Sequence, residues 1–381
     1  MWPSILLAPP SVMLAWPRPN TENPENQGFK ILAWEIPLII ITISIVGLRL
    51  YAKRIYTKHG LGREDWLIVA STILATAMVI MQCLSVQYKL GLHLYDFAPF
   101  AEENLKPARQ LAFAMEIVFT IGINLTKLSI LTFYLRLFPV GVVSIHLHRL
   151  IYVGMGITVL AMIGSLAAAI FQCSPVQHFW IYDMEGHCYP TYPLHLSTAI
   201  INSITDVYCV IVPLGEIFGL TRIDKRGKYV IITCFSLGAI VCFAGVIRIY
   251  WTKKMFHDDP YDWTWDIVGL YIATAMEHTI GIITASIPAC RPLFTKSAVR
   301  VRRDIESDSQ QKRRSAARKK RRTGADIPPA LEFVTTALKE KRYDDSITPL
   351  TAHSEQWNDV KLVESPCLTP GRKTPRFTRW I

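Results

Sequence analysis

The chain has 381 residues, 51% of them hydrophobic and only 19% charged, with a mean hydropathy of +0.25. A soluble domain carries about 25% charged residues, and here most of the charge lies in short clusters and in the stretch after Pro292, so a disordered chain and a typical soluble enzyme are excluded and a polytopic membrane protein with a polar tail is favoured. The net charge of +11 fits either nucleic acid or loops facing anionic lipid, and its placement decides for the second.

Residues 1–29 form a short N-terminal tail. Its first part is apolar but holds Pro3, Pro9, Pro10 and Pro17 and no basic n-region, which argues against a signal peptide. Seven apolar runs follow, at 31–50, 66–86, 111–135, 150–171, 194–214, 229–250 and 267–289. Each has the roughly 20 residues that a spanning helix needs. Unpaired backbone polar groups are not tolerated in hydrocarbon, and the alternating polarity of a membrane strand is absent, so every run is read as a helix. The expected fold class is all-α: a polytopic seven-transmembrane helix bundle over 30–292, with a polybasic, mostly disordered tail over 293–381.

Basic residues between the runs set the expected orientation. Lys53, Arg54, Lys58 and Arg63 lie between runs one and two, and Arg222, Lys225, Arg226 and Lys228 between five and six. Arg136 and Arg149 flank the loop between three and four. The other connections are acidic or balanced: Asp96, Glu102 and Glu103 against Lys89 and Lys106, then Asp183 and Glu185, then Asp258, Asp259 and Asp262 against Lys253 and Lys254. The positive-inside rule puts the first set in the cytoplasm, the N-terminus outside or lumenal and the C-terminus cytoplasmic. Trp34, Trp66, Trp180, Trp251, Trp263 and Trp265 fall at or near run ends, where an amphipathic ring sits at the membrane interface. The membrane is either the plasma membrane or an endomembrane.

None of the eight cysteines forms a CxxC pair or lies at zinc-ligand spacing with histidine, so no metal site is expected. Cys173 and Cys188 share an outer loop on the oxidising side. A bridge there would close a short loop and contribute about 3 kcal/mol; two free thiols are the alternative. In the tail, Arg300, Arg302 and Arg303 precede Lys312, Arg313, Arg314, Arg318, Lys319, Lys320, Arg321 and Arg322. A nuclear-localisation reading fits poorly beside seven spans. The tail reads as a juxtamembrane segment on anionic lipid, at roughly 1 kcal/mol per charge, or as a solvated positive-inside anchor.

Ionisable residues inside spans are costly and normally face a partner or the bundle interior. Run three carries Glu116, Asn124 and Lys127; run five Asn202 and Asp206; run six Arg248; run seven Glu277 and His278. Glu35 lies near the outer end of run one, where it is cheap. Depth allows two groupings: a mid-membrane cluster joining Lys127 to Asp206, Glu277 or both, with Asn124 and Asn202, and an outer-leaflet pair of Glu116 with Arg248. A structural lock and a binding cavity, ion path or switch fit this pattern alike.

Run seven contains no lysine, so a retinal Schiff base is not expected and no cofactor is called for. GxSxG, HExxH and Walker motifs are absent. No catalytic residues are assigned, although a buried acid could protonate an apolar substrate.

Several pieces in order carry a resemblance. They are Arg49; Gly62, Arg63, Glu64, Asp65 and Trp66 opening run two; Lys127, Leu128, Ser129, Ile130 and Leu131, then Tyr134, Leu135, Arg136, Leu137 and Phe138, in run three; Phe171, Gln172, Cys173, Ser174 and Pro175 with Trp180 and Cys188; Asn202, Asp206 and Pro213; Lys228, Gly238 and Arg248; and Glu277, Ile287, Pro288, Arg291 and Pro292. Over about residues 30–295 the chain resembles the fungal rhodopsin-domain family of integral membrane proteins, which includes Pth-type receptor-like proteins. No CFEM module precedes the spans. The resemblance implies a seven-helix bundle, a membrane location and either a receptor-like role or one in a secondary-metabolite (mycotoxin) cluster. The expected function is a non-enzymatic, receptor-like or accessory membrane protein of such a pathway. A membrane enzyme or transporter acting on an apolar metabolite is the alternative. Expected partners are the bilayer, anionic lipid at the tail, a small apolar ligand and a cytoplasmic signalling partner met by Tyr134, Arg136, Arg222, Lys225, Arg226 and Lys228; nucleic acid is not one.

Overall fold

The computed structural model describes residues 14–20, 22–56, 60–138, 145–181, 184–219, 225–258 and 261–294 and the single positions 307, 310, 311, 314 and 315, without the side chains of 56, 213–219, 225–235, 258 and 291–294. Seven long helices account for most of it: α1 (Gly28–Tyr56), α2 (Arg63–Gln87), α3 (Ala101–Leu137), α4 (Ile145–Ile170), α5 (Thr191–Gly219), α6 (Lys225–Lys253) and α7 (Trp263–Phe294). All seven are long and apolar enough to cross a membrane. They coincide with the seven apolar runs and, apart from the C-terminal end of α4, extend past them. The largest extension is at the start of α3, where acidic Glu102 and Glu103 occupy the first turn and complement the helix dipole. Arg222 and nearly all of the 293–381 tail lie outside the described residues.

Polar side chains in these helices are satisfied locally where they can be. The hydroxyls of Thr42, Thr72, Thr158, Thr252, Thr274, Thr279 and Ser286 each donate to the carbonyl four residues back, at 2.6–2.9 Å. In hydrocarbon this removes a donor that water would otherwise hold. Apolar side chains point outward along the bundle instead, among them Ile40, Ile43, Leu160, Ile204, Phe243 and Val246. In water such a belt would be costly; lipid accepts it.

The helices form a closed ring in chain order, with α7 packing back against α1. Helix α7 also reaches α2 and α3, and α3 reaches α5, so α3 and α7 form the centre. Burial follows: 61% of the spanning window of α7 is buried, against 17% for α4, which lies at the rim.

At one end of the bundle the α4–α5 connection carries a two-stranded antiparallel ladder, β1 (Cys173–Ser174) with β2 (His187–Cys188), in which Cys173 faces Cys188. The two cysteines form a disulfide. Phe179 lies beneath it, and Phe113 of α3 packs on both Phe179 and Trp180. The same end holds a core of Ile31, Leu90, Leu92, Phe97, Trp263 and Ile267, against which Trp16 packs.

The segment before α1 is therefore more than a tail. The Asn20 amide donates to Asp96 at 2.7 Å, and the Gln27 amide to the Gly91 carbonyl at 2.9 Å. Gly91 has φ +104°, and a Cβ there would lie 2.6 Å from the Gly28 nitrogen, so this crossing requires glycine.

Candidate ligand cavity and intramembrane charge network

Residues from four helices meet in the middle of the bundle. Asn202, Thr205 and Asp206 stand at i, i+3 and i+4 on one face of α5, and Lys127 of α3 reaches all three. Its ammonium lies 3.2 Å from Asp206 Oδ1 and donates to the Asn202 carbonyl (2.7 Å), Asn202 Oδ1 (2.7 Å) and Thr205 Oγ1 (2.6 Å). Asn202 then donates through Nδ2 to Glu277 Oε1 of α7 at 2.6 Å. The other Glu277 oxygen accepts from Arg248 Nε of α6. One hydrogen-bonded chain thus joins α3, α5, α7 and α6. Two acids face two bases within it, which is how charge is tolerated at this depth.

The grouping drawn from depth alone differs in one respect. Arg248 does not pair with Glu116. It pairs with Glu277, because its long side chain reaches inward from its own turn. Glu116 instead faces His195 Nδ1 at 3.2 Å and Gln172 Nε2 at 3.4 Å. Glu277 does not touch Lys127 directly; Asn202 stands between them. Asn124 is buried one turn from Lys127 and donates to the Thr120 carbonyl at 2.8 Å.

Glu35 is not at a cheap, exposed position. It is 1% exposed, and neither carboxylate oxygen has a hydrogen-bond partner among the described residues. Helix α1 begins at Gly28, earlier than its apolar run, and packs on α7, which turns Glu35 inward.

Two cavities flank the central chain. The larger, about 1030 Å³ with its open mouth included, lies in the half that carries the disulfide. Its lining mixes polar Glu116, Asn124, His195, Asn202 and Arg248 with apolar Met78, Met115, Phe119, Ile267 and Leu270. The smaller, about 710 Å³ by the same measure, is lined by Lys127, Tyr134, Asp206, Cys209, Glu277 and Pro288. Asp206 Oδ2 is buried there without a hydrogen-bond partner among the described residues. The four charged residues thus divide between the walls of the two cavities. Among the described residues no group of His, Cys, Asp and Glu could hold a metal ion.

A second network, at the end opposite the disulfide, went unread in the sequence. Asp65 of α2 pairs with Arg49 (3.0 Å) and Lys53 (2.7 Å) of α1. Glu64 pairs with Lys53 (2.7 Å) and with Arg136 of α3 (2.6 Å). Asp65 also accepts from the Gly62 amide at 2.9 Å, capping α2. Counted along the chain, Lys53 and Arg136 look like loop charges, and only the acidic Glu64–Asp65 step hinted at partners. Arg136 is thus held by Glu64, and Tyr134 faces the smaller cavity. Lys225, Arg226 and Lys228 belong to the first turn of α6, their side chains outside the described set. His278, next to Glu277 but turned about a quarter of the way round α7, accepts or donates with Ser71 Oγ at 2.9 Å. A Cβ on Gly122 would run into its ring, so glycine lets α3 approach α7 here.

The sequence model of the fungal rhodopsin domain matches residues 48–296. A polyenoic acids biosynthesis gene cluster protein of Metarhizium anisopliae is 26% identical over 294 residues, covering 73% of this chain and 77% of its own length. A SAT4 family membrane protein of Emericella nidulans is 29% identical over 209 residues, covering 54% of this chain and 50% of its own length. A receptor of Arthrobotrys oligospora, GIN3, is 26% identical over 269 residues, covering 69% of this chain and 61% of its own length. The chain therefore spans less than two thirds of the last two relatives. No solved structure matches it at a significant level.

Proposed function

This chain belongs to the fungal rhodopsin domain family, and from that premise we propose that it is a non-enzymatic, receptor-like or accessory multi-pass membrane protein tied to a secondary-metabolite pathway. The observation that carries the reading is the larger cavity: a space inside the bundle lined by apolar side chains together with polar groups from several helices. A small, mostly apolar ligand fits such a space. Because its walls belong to helices also tied together by the central ion pairs, a ligand preferring one helix arrangement would shift the population. The orientation proposed is N-terminus and disulfide outside or lumenal, with the basic end and C-terminal segment cytoplasmic, on anionic lipid and beside a signalling partner. The membrane is the plasma membrane or an endomembrane. Helix α7 has no lysine, so the proposed reading includes no retinal.

A transporter is the second reading, favoured by the two cavities on either side of one polar layer. Deleting the gene and profiling metabolites in cells and medium separates the possibilities. Loss of all products fits the receptor-like reading. A final product trapped inside the cells fits the transporter, and an accumulated precursor would move the assignment to an enzyme.

A further inference from the structure

We infer that the larger cavity takes an amphipathic carboxylic acid, its carboxylate held by the free end of the Arg248 guanidinium; this deepens the ligand-binding reading above and rests on it. A guanidinium presents five N–H donors in a planar fork. Arg248 uses Nε on Glu277 and reaches the Ala199 carbonyl with Nη2 only at 3.5 Å. Its carbon sits 5.2 Å from the Phe119 ring centroid. Nη1 has no hydrogen-bond partner among the described residues. Nor is it sealed off by protein, since Arg248 is a wall of the cavity and Nη1 is not among the enclosed orphan atoms.

The residue as a whole is more than nine-tenths buried. A guanidinium donor that opens into such a cavity makes a stronger, charge-assisted bond to a ligand carboxylate than to a neutral acceptor. The edge on offer is the one that a carboxylate meets with two parallel bonds. Beyond it the lining is mixed: Met78, Ala112, Met115, Phe119, Ile267 and Leu270 offer apolar surface to an alkyl or alkenyl body, among polar Gln82, Thr120, Tyr271 and Thr274. Glu116, an acid of that lining, is occupied by His195 and Gln172.

The arrangement also supplies a signal. A ligand carboxylate on Arg248 shares the charge that Glu277 otherwise holds alone. Binding then loosens the tie between α6 and α7, and Glu277 is simultaneously a wall of the second cavity. Occupancy on one side is thereby felt on the other.

The test is equilibrium binding of labelled dodecanoic acid and of methyl dodecanoate to the full chain in lipid nanodiscs, with empty discs subtracted. The acid is expected to bind roughly tenfold or more tightly than the ester, as a charged hydrogen bond would give. Arg248→Lys keeps a positive charge for Glu277 but removes the fork, and should lower the ratio of acid to ester affinity. The double variant Arg248→Gln with Glu277→Gln removes both charges together, leaves neither unpaired, and should abolish the acid preference. Equal affinity of acid and ester in the unaltered protein overturns the carboxylate and leaves the cavity as an apolar-ligand site. An acid preference that survives in both variants overturns Arg248 as its anchor. Binding of neither probe overturns this inference and the apolar-ligand reading together.

Discussion

Lys127 shows what one buried charge demands of its surroundings. Its ammonium has three protons and finds a carboxylate, an amide oxygen, a backbone carbonyl and a hydroxyl around it. Removing it leaves Asp206 buried with no base beside it. Lys127→Met should therefore destabilise the protein by about 3–5 kcal/mol, and Lys127→Met with Asp206→Asn should recover most of the loss. Thermal unfolding of the purified variants in detergent checks both; a neutral single variant would remove the network as a stabilising feature. Glu35 presents the opposite case, a buried carboxyl with no hydrogen-bond partner among the described residues. Glu35→Met fills the same space without a polar group to desolvate, and should raise the unfolding temperature by the equivalent of about 1–3 kcal/mol. A fall would mean that Glu35 has a task in the native protein. The Lys127–Asp206 contact was within reach of the sequence, because depth along two helices is a matter of counting. The partner of Arg248 was not, because it depends on side-chain reach and helix rotation, which counting along one chain does not supply.

At the level of elements, two connections fix how the helices meet. The disulfide joins β1 to β2 across a sequence separation of 15 and covers the Phe113, Phe179 and Trp180 cluster. Cys173→Ser with Cys188→Ser should lower stability by about 2–4 kcal/mol through a less constrained unfolded chain. Comparing unfolding with and without reductant, in the unaltered protein and the double variant, gives the check: reductant should act on the first alone. Inside the bundle, α3 and α7 touch at Gly122 and His278. Gly122→Val should cost about 1–3 kcal/mol by overpacking. His278→Ala in the same chain should restore much of that loss, a coupling that a double-mutant cycle measures. The spans themselves were legible as apolar runs of spanning length. Their true ends were not, since α1 and α3 begin in polar or mixed sequence that becomes helical by packing and capping rather than by hydropathy.

The described helices form a ring of seven whose outward faces are apolar and whose interior is polar at two levels. A soluble domain has the reverse arrangement, and lipid is the solvent that makes this one economical of free energy. The proposed orientation predicts that a tag before α1 is reached by protease only from the outer or lumenal side, and a tag after α7 only from the cytoplasmic side. Protease protection on sealed vesicles tests it, and two tags accessible from one compartment would overturn the odd number of crossings. The basic network of Arg49, Lys53, Arg136, Glu64 and Asp65 then lies at the cytoplasmic end. It ties α1, α2 and α3 together at that end.

The sequence by itself determined the number of spanning-length helices, the helical class and the family, because each follows from local quantities: the length of an apolar run, the period of its polarity and the order of short motifs. The ring closure, the two cavities and the choice of partner for each buried charge were decided by tertiary structure. Those features depend on which face each helix turns to its neighbours, and in a bundle apolar on the outside that rotation is fixed by contacts between residues far apart in the chain, such as Arg248 with Glu277 and Arg136 with Glu64.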